Sequence, residues 1–181
     1  MLRNGGILAV LIVGGLIAYR LFGWGSDVAE LIQVEQHNKL VSQSNALVDP
    51  LTAATQSVDV IHDLLRNAVD MTTENRRGVL GLLEISGGVV SERVSKSRQA
   101  VADVALSEDT EAQALLTSAD ELLTMISGFI PVHNELTAKV LASGDYPPEL
   151  PAEIDFKLSN LEADMADGVD SFSAAQVAFL E

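Results

Sequence analysis

No residue between Gly5 and Tyr19 carries a charge. Continued through Arg20 to Trp24, the run GGILAVLIVGGLIAYRLFGW has 20 residues, about 30 Å as a helix, which matches the hydrocarbon thickness of a bilayer. A chain that starts this way is constrained first by where that segment goes. Nothing else in the sequence is long and apolar enough to surround it as a buried helix. After Gly25 the most apolar stretches, Val79–Val90 and Leu122–Val132, read as too short to cross a bilayer, and the first contains Glu84. A cleaved signal peptide would share the basic start at Met1–Asn4 and the apolar run Gly6–Ala18. However, Tyr19-Arg20-Leu21-Phe22 is too bulky for a small-x-small cleavage site. We therefore expect residues 1–25 to be an uncleaved N-terminal membrane anchor and residues 26–181 an extramembrane body.

The anchor has its own chemistry. Tyr19 and Trp24 have the amphipathic rings of an interfacial belt, and Arg20 lies close enough to the end to snorkel to the headgroups. Gly14 and Ala18 have small-xxx-small spacing, and with Gly6 they lie near one ridge where another helix can approach closely in lipid. Arg3 and Arg20 flank the two ends, so the positive-inside balance is nearly even. We expect the N-terminus in the cytoplasm and the body on the extracytoplasmic (periplasmic) side.

The body shows apolar residues at three- and four-residue spacing almost throughout. A first stripe is Val28, Leu31, Val34, Asn38, Val41, Asn45 and Val48. Asp49-Pro50 then reads as the start of a second helix, because Asp caps well and Pro suits the first helical position. Its stripe is Leu51, Ala54, Val58, Ile61, Leu65, Ala68 and Thr72. The third stripe, Val79, Leu83, Ser86, Val90, Val94, Ser97, Val101 and Val104, is interrupted by glycines, and a break near Gly87-Gly88 is expected. Segments 51–75 and 77–105 fit either one bent helix or two. Ser107-Glu108-Asp109 is an N-cap signal for a helix carrying Leu115, Ala119, Leu122, Ile126, Phe129, His133, Leu136 and Val140. Pro131 lies within it and should kink it. After a proline-rich loop, a last helix from about Ala152 to Leu180 carries Ile154, Leu158, Leu161, Met165, Gly168, Phe172, Ala175 and Phe179. No run has the alternation and turn chemistry of a strand. The expected fold is all-α: an N-terminal transmembrane helix and an elongated bundle of four to five helices, roughly 30–45 Å tall.

Charge narrows the function. The chain has 11 Lys+Arg against 26 Asp+Glu, a net charge of -15. Residues 1–98 hold nine basic and ten acidic groups, whereas residues 99–181 hold two and sixteen. So acidic a chain lacks the cationic footprint of a nucleic-acid binder, and no aromatic residue lies between Asp70 and Glu121 to stack a base. Arg76, Arg77, Arg93, Lys96 and Arg98 form one basic cluster. It reads either as solvated surface drawn towards the acidic half or as a docking site for a partner.

Catalytic and cofactor signals are weak. The absence of cysteine excludes thiolate chemistry and disulfides. The three histidines, His37, His62 and His133, form no pair at helical spacing, and no Glu-x-x-His motif is present. His133 falls on an apolar stripe beside Pro131, where we expect it to bond a backbone carbonyl freed by the proline. Glu162, Asp164, Asp167 and Asp170 lack the ligand spacing of a calcium loop. No Gly-x-Ser-x-Gly elbow or phosphate loop occurs. No cofactor or metal is expected. The reading is a non-catalytic, single-pass accessory or structural subunit that binds other membrane proteins or further copies of itself. The alternative is an extracytoplasmic sensory or ligand-binding bundle that signals through a partner.

Overall fold

In a computed structural model, residues 28–71, 73–106, 109–142 and 147–181 are described, and among them all regular structure is helical. Four helices follow in order: α1 (Val28–Asp70), α2 (Thr73–Ala102), α3 (Thr110–Ala142) and α4 (Leu150–Leu180). Each helix packs on the next, α4 closes back onto α1, and α1 also touches α3 across the middle. The cross-section is thus a rhombus. α1 and α3 share the short diagonal, and α2 and α4 occupy the two far corners. The anchor residues Gly14, Ala18, Tyr19, Arg20 and Trp24 lie outside the described residues.

Pro50 does not start a helix. α1 runs through it without a break for 43 residues. A proline inside a helix costs about 3 kcal/mol, because it removes one hydrogen bond and crowds the preceding turn. Leu47 and Leu51 on either side are both buried, and each contributes roughly 1.5–3 kcal/mol. Ser97 of α2 donates its hydroxyl to the Pro50 carbonyl at 2.6 Å. Continuity also resets the register of the first stripe. Ser44 and Leu47 are buried, while Val34, Asn38 and Asn45 are exposed. From Leu51 to Ala68 the expected stripe is the buried one.

Segments 51–75 and 77–105 are two helices, separated after Asp70. α2 passes unbroken through Gly87-Gly88. Gly87 serves a close approach instead, since a Cβ there would lie 2.6 Å from Asn134 Oδ1 of α3. α3 is capped by Asp109, whose carboxylate accepts the Ala112 N–H at 2.8 Å. It continues through Pro131, and every residue of its expected stripe is buried.

α3 also corrects the membrane reading of the body. It is 33 residues long and, by length and composition, is the one helix among the described residues able to cross a membrane. Leu122–Val132 is therefore part of a longer apolar helix than the sequence reading allowed. Its burial is that of a bundle core helix: one face is packed, and Asp120, Glu121, Asn134 and Glu135 line the exposed one.

Cross-helix contacts fix the relative heights. Ser97 stands level with Pro50, Gln176 with Ser44, His133 with His62, and Asp155 with Arg66. At 1.5 Å per residue the bundle is roughly 45–50 Å tall, and α1 extends past it by about ten residues, roughly 15 Å. Val34, Glu35, Gln36, Asn38 and Lys39 on that extension are exposed. α4 ends at the same end of the bundle.

Candidate docking face and buried histidine pair

The outward ridge of α2 is apolar where a bundle surface is normally polar. Leu82, Ile85 and Val89 are 51%, 60% and 46% exposed, and Val60 of α1 beside them is 57% exposed. Leu82, Ile85, Val89, Arg93 and Lys96 recur at three- and four-residue spacing, so they form one line along the helix. Between this line and α1 runs an open groove of about 400 Å³, floored by Ile61 and Val90. A second depression of about 460 Å³ continues it past Arg93 to Lys96 and Pro50. The groove is thus apolar at one end and charged at the other, where Arg93 and Lys96 stand beside Glu92.

The basic cluster of the sequence reading is divided by the fold. Arg93 and Lys96 line the groove. Arg98 turns to the other side of α2 and donates to Thr124 Oγ1 of α3 at 2.8 Å. The side chains of Arg76 and Arg77 lie outside the described residues. Lys96 pairs with Glu92 one turn away on its own helix, both well exposed. Arg93 stands beside Glu92, whose carboxyl is lowered first by Lys96 and further by the Arg93 charge. The expected attraction between the two halves of the chain is carried by Arg66, which bonds both carboxylate oxygens of Glu162 (2.6 and 3.2 Å) and reaches Asp155 at 3.2 Å. Lys139–Glu153 and Lys157–Glu135 pair across α3 and α4, and each lysine also pairs with the acid one turn away on its own helix.

The second feature lies inside. His62 of α1 and His133 of α3 are each 1% exposed. Their Nε2 atoms are 2.9 Å apart, and the rings meet edge-on at 78°. Phe129 packs edge-on to His133 from the adjacent turn. His62 Nδ1 is 3.1 Å from Glu162 Oε1. This geometry orders the protons. Glu162 is ionised, since the Arg66 guanidinium and the His62 N–H hold its carboxyl below the ordinary value against the opposing effect of burial. It therefore accepts from His62 Nδ1–H. His62 Nε2 is then the acceptor, and His133 Nε2–H donates to it. His133 Nδ1 is left buried with no partner. Burial pushes the His133 imidazole down to about 4, with the neighbouring His62 adding to the shift. Burial likewise lowers His62, against the pull of Glu162. Asp59, on the same side of α1, is raised by burial and by repulsion from Asp63 and Glu162.

Sequence reasoning missed this pair because the two histidines belong to different helices, 71 residues apart. The one available signal was that His62 follows Ile61 and precedes Leu65 on a core stripe. The expected bond from His133 to a carbonyl near Pro131 is replaced by the bond to His62. Two nitrogens 2.9 Å apart share a proton rather than a metal, because two zinc–imidazole bonds of about 2.0–2.1 Å at a tetrahedral angle place the nitrogens farther apart. Among the described residues no group of three or more His, Cys, Asp or Glu is placed to hold a metal ion. Asp164, Asp167 and Asp170 are exposed, and Glu162 is committed to Arg66 and His62.

Compared with known proteins, the chain matches no family model, no curated protein and no solved structure.

Proposed function

We propose that this protein is a membrane-anchored, non-catalytic accessory subunit whose bundle docks another chain on its α1–α2 face. The observation that carries this reading is the continuous line of exposed Leu82, Ile85 and Val89 beside Val60, ending at Arg93. Apolar side chains exposed in one contiguous patch, with a polar end, mark interaction surfaces. The α1 extension supports the reading as well, since it holds this face away from the end where residues 1–25 attach. In this proposal residues 5–24 span the bilayer, with Tyr19, Arg20 and Trp24 at its surface. Gly14 and Ala18 supply a second contact within it, and the bundle stands on the extracytoplasmic side.

The test is purification of the tagged full-length chain in mild detergent, with Ile85→Lys as the variant. Ile85 is mostly exposed, so lysine there leaves the fold intact while placing a charge in the apolar line. The wild type should carry a stoichiometric associated chain and Ile85→Lys should lose it. Equal behaviour of the two would overturn the proposal. The same groove supports a second reading, as a site for a small apolar ligand, since its volume falls within the range of such sites. That reading requires the bundle to gain thermal stability with a ligand present.

A further inference from the structure

The geometry points to a second copy of this chain as the occupant of the α1–α2 face, presenting the outer ridge of its α4. This deepens the docking reading and rests on it. α4 carries the most exposed large apolar residue of the bundle, Phe156, at 69%. Phe156, Ala163, Asp167 and Asp170 are all exposed and recur at intervals of seven, four and three residues. On α2, Leu82, Val89, Arg93 and Lys96 are spaced at the same intervals. Set side by side, the two lines pair apolar with apolar at Leu82–Phe156 and Val89–Ala163. They pair cation with anion at Arg93–Asp167, and bring Asp170 to Lys96, which it shares with Glu92 of the lysine's own helix.

Direction and height agree as well. In an up-down-up-down bundle α2 and α4 run the same way, so two copies standing in one membrane present these helices to each other in parallel. Ser97 is level with Pro50 on α1, which places Leu82 near residue 65 of α1. Asp155 is level with Arg66, which places Phe156 within one turn of the same height. No vertical shift is needed to bring the four pairs together. α2 and α4 stand at opposite corners of the rhombus, so the contact is heterologous. Repetition gives a row or a ring of bundles rather than a closed two-fold dimer. The charge asymmetry of the sequence then has a structural use: the acidic α4 edge of one copy meets the end of the groove that carries Arg93 and Lys96 on the next.

The chain has no cysteine, so single cysteines report contacts without background. In native membranes of cells expressing the full-length chain, the double variant Leu82→Cys/Phe156→Cys should oxidise to a ladder of linked species. Leu82→Cys and Phe156→Cys expressed together should give only dimers, and each alone should stay monomeric. Adding Arg93→Asp should lower the cross-linked fraction roughly tenfold, and adding Asp167→Arg to that should restore it. A dimer from Leu82→Cys alone would overturn the assignment, since groove would then face groove. Absence of any link in the double variant would also overturn it. If Ile85→Lys releases a different protein while the cysteines stay unlinked, the second copy is wrong and the docking face stands. If Ile85→Lys releases nothing, both fall.

Discussion

Acidification should loosen the bundle through the His62–His133 pair. His133 is held at about 4 in the folded chain, against an ordinary 6.5. The folded state therefore binds fewer protons than the unfolded state between these values, and stability falls as pH drops through that window. Worked through the linkage relation, the His133 contribution is about 2 kcal/mol between pH 7.5 and pH 5, and about 3 kcal/mol by pH 4. His62 is lowered too and acts in the same direction. Glu162, lowered, loses its contribution as pH falls from the ordinary carboxylate value through its own depressed one, below the pH 5 end of the comparison. Asp59, raised, works the opposite way, because its protonation relieves crowding with Asp63 and Glu162. The facing Arg66 guanidinium is held protonated by Glu162 and Asp155 and stays charged throughout. The assay is denaturant unfolding of the full-length chain, followed by circular dichroism at several pH values. The comparison is His62→Leu/His133→Leu, which keeps the Arg66–Glu162 pair. The wild type should lose about 2 kcal/mol more than the double variant from pH 7.5 to pH 5. Equal losses would show that the pair is not held neutral by burial.

Other outcomes follow from single residues. Ser44→Ala leaves the buried Gln176 amide without its 2.8 Å partner and should cost about 1–3 kcal/mol; Gln176→Leu added to it should recover part of that loss in the same unfolding assay. Gly81→Ala and Gly88→Ala place a methyl where no atom lies within 4 Å, so each should raise stability by about 0.5–1 kcal/mol. Phe172→Ala, at 1% exposure, should cost about 3–5 kcal/mol through loss of burial and the cavity left behind.

The helices were legible wherever one face meets the core at a steady three- and four-residue spacing. The stripes of α2 and α3, and that of α1 from Leu51 onwards, follow directly from three- and four-residue spacing. Pro50 misled because local chemistry offers it as a helix start, whereas burial of Leu47 and Leu51 on both sides outweighs one missing hydrogen bond. In α4 the spacing drifts, so Val169 and Gln176 are buried where Gly168 and Ala175 were expected. Gln176 is there because Ser44 faces it, a long-range fact that local periodicity does not contain. The basic cluster was visible, but not its division, since Arg93 and Arg98 point to opposite sides of one helix. The apolar line Leu82–Val89 was hidden for a related reason. α2 carries apolar residues on two faces, and only the packing shows which one is left outside.

The most direct test of the docking reading is the mass of the detergent-solubilised full-length assembly, measured by light scattering with detergent subtracted. For the wild type it should exceed the 19.2 kDa of a single chain, and for Ile85→Lys it should fall to that value. A wild type already at the mass of one chain, or a variant of unchanged mass, would contradict the claim that the α1–α2 face binds a partner.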